Sequence, residues 1–254
     1  MEIPRAALRW LAILAGAAAG ALVFLGPVPQ PAAYHAFVDT RGFGGLPNAL
    51  NVLSNVAFLA VGGWTCARAF AAPASERALG LLLGAGVLLT TAGSSWYHWA
   101  PSNDALVWDR LPMTLAFAAL TGLLFSRHVS LRAGRFVLAF MLVLGPASVA
   151  LWWWSEHNGH SDLRVYSWAQ AFPTLVLLVT AASLKERYLR RAYGGALVGY
   201  ALAKAAELFD ANIFAATGEV LSGHTLKHLL AAVACGAITA TLNERGQATF
   251  STAT

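Results

Sequence analysis

The feature that most narrows what this chain can fold into is the recurrence of apolar runs long enough to cross a lipid bilayer. A hydrocarbon layer of roughly 30 Å takes about 20 residues of helix. Eight such runs lie near residues 8–26, 48–70, 78–99, 109–127, 134–154, 163–184, 194–214 and 223–242. With 57% of its residues hydrophobic and only 11% charged, the chain has more apolar content than one soluble core consumes. The expected class is therefore an all-α integral membrane protein. The first run, LRWLAILAGAAAGALVFLG, follows Arg5 and is rich in small residues, as a secretory signal would be; its length and the want of a clean cleavage site favour a retained anchor.

Charge placement predicts the orientation. With the N-terminus inside, the cytoplasmic segments hold Arg5, Arg9, Arg68, Arg77, Arg127, Arg132, Arg135, Lys185, Arg187, Arg190, Arg191 and Arg245, whereas the outer segments hold only Arg41, Arg110 and Arg164. Such a bias puts both termini in the cytoplasm under the positive-inside rule. The same distribution accounts for the net charge of +5 without nucleic acid, which is discounted as a partner. Cys66 and Cys235 fall inside apolar runs and match no paired metal-binding spacing, so neither a disulfide framework nor a cysteine metal site is expected. The outer segments 27–47, 100–108, 155–162 and 215–222 have turn composition, and no loop is long enough for a separate domain.

Ionisable groups at membrane depth are costly and are usually kept for function. The third run ends in TTAGSSWYHW, with Ser94 and His98 four apart and so on one helix face. Asp109 opens the fourth run, and the eighth begins GHTLKHLL, with His224 and His228 also four apart. Under the predicted topology all five residues reach one depth, near the outer edge of the bilayer. Two histidines at i and i+4, with a third from a neighbouring helix, leave one tetrahedral position for water, which is the catalytic arrangement of zinc. Asp109 then suits the proton-transfer role beside an activated water, and Ser94 suits hydrogen bonding to a developing oxyanion. Each residue has a plainer reading. An HxxxH pair on a helix arises by chance, Asp109 can be an N-cap ahead of Pro112, and Ser94 can serve close helix packing. The common depth favours the joint reading.

The order Ser94-x3-His98, Asp109, His224-x3-His228 resembles the signature of the alkaline ceramidase and adiponectin receptor superfamily, in its bacterial ceramidase-like form. The opening NALNVLSN, with Asn51, Ser54 and Asn55, is similar to the first core helix of the alkaline ceramidases. The resemblance covers residues from about 40 to 242. It implies a seven-helix transmembrane core over 48–242, an added N-terminal transmembrane helix and outer loop over 1–47, and a cytoplasmic tail over 243–254. It further implies Zn2+ on His98, His224 and His228, with Ser94 and Asp109 as the catalytic pair. The implied activity is hydrolysis of an amide, or an ester, in a lipid or N-acylated lipid, at the inner membrane of a bacterium with the metal near the outer face. One departure is evident. Ceramidases carry an acidic calcium-binding segment that includes a glutamate where this chain has Asn48, and FVDTRGFGGLP offers only Asp39, so no equivalent calcium site is expected.

Alternative readings are a lipid receptor with a structural zinc, a Ser94–His98 hydrolase dyad without the GxSxG elbow, and a transporter. Lys204, Glu207 and Asp210 recur at i, i+3 and i+6 in the seventh run, which suits either an internal ion pair or carboxylates supporting the site and pairing with Lys227. Trp152, Trp153 and Trp154 read as interfacial anchors. His157 and His160 read as solvated loop residues, and His35 and His128 as loop histidines without an evident partner.

Overall fold

A computed structural model describes residues 3–242. Each of the eight apolar runs is helical. The elements are α1 (Arg5–Phe24), α2 (Ala49–Leu53), α3 (Val56–Phe70), α4 (Ala74–Trp99), α5 (Asn103–His128), α6 (Leu131–His157), α7 (Arg164–Ser183), α8 (Arg187–Leu208), α9 (Asp210–Ala216) and α10 (Gly223–Ala240), with a 3-10 turn at Ala32–His35. Among the described residues there is no β-strand, only an isolated bridge between Phe43 and Leu46. The tail expected over 243–254, including Arg245, lies outside the described residues.

Five helical segments are long and apolar enough to cross a membrane: Arg5–Phe24, Ala49–Phe70, Ala74–Trp99, Leu131–His157 and Arg164–Ser183. The other three runs expected to do so are also helices, and they are less apolar for an identifiable reason. They carry the polar groups described below: Asp109 and Arg110 in α5, Lys204 and Glu207 in α8, and His224, Lys227 and His228 in α10.

Local chemistry sets several of the helix ends. Ser102, Ser130 and Ser222 cap α5, α6 and α10, each accepting a backbone N–H three residues on, at 3.0–3.1 Å. Asp109 is therefore not the N-cap of its helix; Ser102 is, and α5 begins two turns earlier than the apolar run suggests. Between α2 and α3 the helix is interrupted where Ser54 Oγ donates to the Asn51 carbonyl (3.0 Å) and Asn55 Nδ2 donates to the Asn51 and Val52 carbonyls. These side chains compete with the backbone ladder for its acceptors.

Helix neighbours close a ring: α3 packs on α4, α4 on α5, α5 on α7, α7 on α8, α8 on α10 and α10 back on α3. The ring surrounds a cavity of about 450 Å³ lined by all six helices. α6 lies outside it against α5 and α7, and α1 lies outside against α7. Trp168 Nε1 of α7 donates to the Ala15 carbonyl of α1, and Arg164 Nη1 donates to the carbonyls of Leu22 and Leu25.

The outer surface is apolar: Phe24, Phe136 and Val143 are 92%, 73% and 71% exposed. Of the three consecutive tryptophans, Trp153 and Trp154 face outward but Trp152 is fully buried, which corrects its reading as an interfacial anchor. The cause is Arg110, whose guanidinium lies 4.1 Å from the Trp152 ring centroid, inside the bundle. Arg110, expected in an outer loop, sits in α5 and is buried.

Candidate metal centre

The centre is assembled from the last turn of α4 and the first two turns of α10. The start of α10 is held twice: Ser222 caps it, and the Asp210 carboxylate accepts the His224 backbone N–H at 2.8 Å. Gly223 allows this approach, since a Cβ there would sit 2.1 Å from the Ala206 carbonyl oxygen. From that fixed start, His224 and His228 project from one face. His98 comes from the end of α4, where Asn48 Nδ2 donates to its carbonyl at 2.9 Å. Phe37, from the loop before α2, packs at 4.8 Å ring to ring against both His98 and His224.

The three imidazoles are buried, and their ligand atoms lie within 4.8 Å of one another. His98 Nε2 is 3.2 Å from His228 Nε2 and 3.2 Å from His224 Nε2. Three nitrogens bound tetrahedrally at the usual zinc distance of about 2.0–2.1 Å are about 3.3 Å apart; both separations from His98 match that spacing, and all three donors lie within 4.8 Å of one another, so the group could hold a metal ion.

The proton arithmetic agrees with that fit. Ser54 Oγ spends its hydrogen on the Asn51 carbonyl and lies 2.7 Å from His228 Nδ1, so Nδ1 carries the proton and Nε2 keeps its lone pair. Lys227 Nζ, a donor only, lies 2.8 Å from His224 Nε2, which therefore also presents a lone pair. One hydrogen on His98 Nε2 can satisfy only one of these two acceptors. A cation satisfies all three nitrogens. Lys227 has a second partner in Glu207 Oε1 at 3.0 Å, so giving up His224 Nε2 leaves it paired.

Asp109 and Ser94 meet beside this cluster. Ser94 is one turn from His98 on α4, and it lines the same cavity as Asp109. Gly93 makes the meeting possible: a Cβ there would fall 1.9 Å from the Trp108 carbonyl oxygen. Ser94, Asp109 and His228 all line the cavity, whose far end is largely apolar and reaches Ile238 and Thr239 on α10. Eleven residues of helix separate His228 from Thr239, roughly 16 Å. A second recess of about 430 Å³, formed around Leu89, Trp108, Pro112 and Pro146, is almost wholly apolar and contains no titratable side chain.

The polar residues of the seventh run divide between two tasks. Glu207 pairs with Lys204 and with Lys227, each at 3.0 Å, and accepts from the Tyr34 hydroxyl, whereas Asp210 holds the α10 backbone. Both readings of these residues thus apply, to different members.

No family model and no curated protein sequence matches this chain.

What bears on the centre is its geometry, and several of its contacts have no counterpart in the motif read from sequence. Ser54, Lys227, Phe37 and Arg110 all face the site or its cavity without belonging to the spaced histidine pattern. The NALNVLSN resemblance marks Ser54 without giving it a role, and the signal for Arg110 is general: a polar side chain within an apolar run. His35 has partners after all, Tyr97 Oη and Asn103 Oδ1 at 3.0 Å each, and His128 lies 3.2 Å from Tyr193 Oη. His157 lies 3.3 Å from Asp104 at the exposed surface, away from the cluster.

Proposed function

We propose that the chain is a membrane-embedded, zinc-dependent hydrolase of the alkaline ceramidase and adiponectin receptor type, cleaving an amide or ester bond in a lipid-like substrate. In this reading α2 to α10 form the seven-helix core and α1 is the added helix, the whole lying in the bilayer through its apolar outer surface. The observation that carries the reading is the buried cluster of three imidazoles, with ligand atoms within 4.8 Å of one another, beside a cavity lined by His228, Asp109 and Ser94.

His98, His224 and His228 hold the ion, which when bound supplies Lewis acidity, acidifying water and polarising a carbonyl. Asp109 takes the proton from the attacking water and passes it to the leaving amine or alcohol. Ser94, on the cavity wall with Asp109, supplies the hydroxyl that donates to a developing oxyanion. The apolar end of the cavity takes the acyl chain and excludes water from the reacting bond.

Two measurements on purified protein test this. Metal analysis is expected to find near one zinc per chain, falling at least tenfold in His224→Ala. Fatty acid release from N-acylated lipids is expected to stop on adding a chelator and to return with zinc. Equal metal content in wild type and variant would remove the centre. Zinc present without any release would leave a lipid-binding receptor.

A further inference from the structure

The cavity contains a cation that the hydrolytic residues do not use. Arg110 lines it and is only 5% exposed. Its guanidinium lies 4.1 Å from the Trp152 ring centroid and 4.6 Å from that of Tyr166, and Nη2 donates to Gln30 Oε1 at 2.6 Å. Nη1 is buried without a hydrogen-bond partner, and among the described residues no carboxylate forms an ion pair with Arg110. Of the two acidic side chains of the cavity, Glu207 is paired with Lys204 and Lys227, and Asp109 lies within electrostatic reach of Arg110 and Lys227 without an ion-pair contact to either. The lining therefore carries three cationic side chains, Arg110, Lys204 and Lys227, against two carboxylates.

A buried guanidinium with an unpartnered N–H and no carboxylate in contact is expensive, and the cost falls when an anion docks on its free donor. Contacts with the two rings restrain the group and leave Nη1 free for an oxyanion. Arg110 and Asp109 line the same cavity, so an anion on Arg110 shares that space with the group that serves the reacting bond.

We propose that the cavity takes an acidic N-acyl amphiphile, whose amine portion carries a carboxylate or phosphate held by Arg110 while the acyl chain fills the apolar end. This deepens the hydrolase reading and rests on its placement of the acyl chain. It assigns Arg110 to specificity: a neutral amide of equal chain length leaves the guanidinium unpaired.

The test is binding to the full-length zinc-loaded protein in detergent, read by displacement of a fluorescent long-chain acyl probe, so that no turnover is required. The competitors are N-palmitoylglycine, the O-phosphate of N-palmitoylethanolamine, and neutral N-palmitoylethanolamine. Wild type is expected to bind at least one acid about tenfold or more tighter than the neutral amide. The better acid tells carboxylate from phosphate. In Arg110→Gln the acid-to-neutral ratio is expected to fall toward one. Arg110→Lys, which keeps the charge and loses the fork, is expected to lie between, and it decides the matter if the glutamine variant does not fold. Equal binding of acid and neutral amide by wild type overturns the proposal. So does an unchanged ratio in the folded variants, which is the outcome if the metal alone captures the acid or if Arg110 is merely structural. A preserved ratio change in a protein that never releases fatty acid supports the anion site and sinks only the hydrolase.

Discussion

Ser54 Oγ has one hydrogen, and the Asn51 carbonyl takes it at 3.0 Å, which obliges His228 to present Nδ1–H to the same oxygen and a bare Nε2 to the cluster. Ser54 is thus a positioning residue for a ligand it never replaces. Ser54→Ala is expected to keep the helical content and weaken zinc binding about 10- to 100-fold, measured by competition with a chelator. Asp39 shows a second residue-scale effect, outside the helices long and apolar enough to cross a membrane. It accepts hydrogen bonds from Arg41 Nε and Nη2 at 2.8 Å and from Arg41 N at 3.1 Å. These bonds hold its carboxyl below the usual aspartate range. The folded chain then gives up that proton more readily than the unfolded chain. The resulting stabilisation is present above the ordinary value of about 4 and is lost as pH falls through the lower folded value. Thermal unfolding followed from neutral pH down into that range is expected to show a shallower loss for Asp39→Asn than for wild type. Arg41 is half-exposed, so the difference is small and shrinks with salt.

At the scale of elements, the site depends on how closely two pairs of helices approach. α4 meets α5 at Gly93, and α10 meets the end of α8 at Gly223; in both places a Cβ would collide with a backbone carbonyl oxygen. Backbone atoms cannot swing aside as a side chain can, so the helices must part. Gly93→Ala is expected to cost about 1–3 kcal/mol and to lower turnover more than zinc content, because it separates Ser94 from Asp109 and leaves the histidines bonded to their own supports. Gly63, inside α3, has nothing within 4 Å of its Cβ position. Gly63→Ala is therefore expected to be neutral or to stabilise by up to about 1 kcal/mol. Unfolding temperature, zinc content and fatty acid release, measured for both variants, check the contrast; equal effects would remove the role given to the α4–α5 approach.

Across the whole molecule, α10 is tied at both ends. Its first turns carry the histidines, and the carbonyls at its other end are taken by arginines from the ring. Arg127 Nη2 donates to the Thr241 carbonyl and Nη1 to Thr241 Oγ1, while Arg68 donates to the carbonyls of Ala240 and Leu242. Arg127 is itself balanced by Glu76 of α4 at 2.5 Å, with both side chains buried. Removing one member of a buried pair strands the other, at a cost of about 3–5 kcal/mol. Glu76→Gln is expected to lower unfolding stability by an amount in that range while the folded fraction keeps its zinc, because the pair lies at the opposite end of α10 from the imidazoles. Loss of zinc at unchanged stability would show that the two ends are not independent.

The sequence by itself determined that the chain is helical, where each helix runs, and which polar residues share a face. Apolar length specifies the helices, and four-residue spacing puts His224 with His228 and Ser94 with His98. It also marked His98, His224 and His228, which cluster, and Ser94 and Asp109, which line a cavity with His228. Only the tertiary structure decided what meets them. His98 and His224 are 126 positions apart, and Ser54 and His228 174 apart. Periodicity gives a helix its face but neither its neighbour nor its rotation. Those follow from contacts such as Gly93 on Trp108, which are side-chain volumes fitted in three dimensions. For the same reason one tryptophan of three turns inward, and Arg110 faces the cavity instead of a loop.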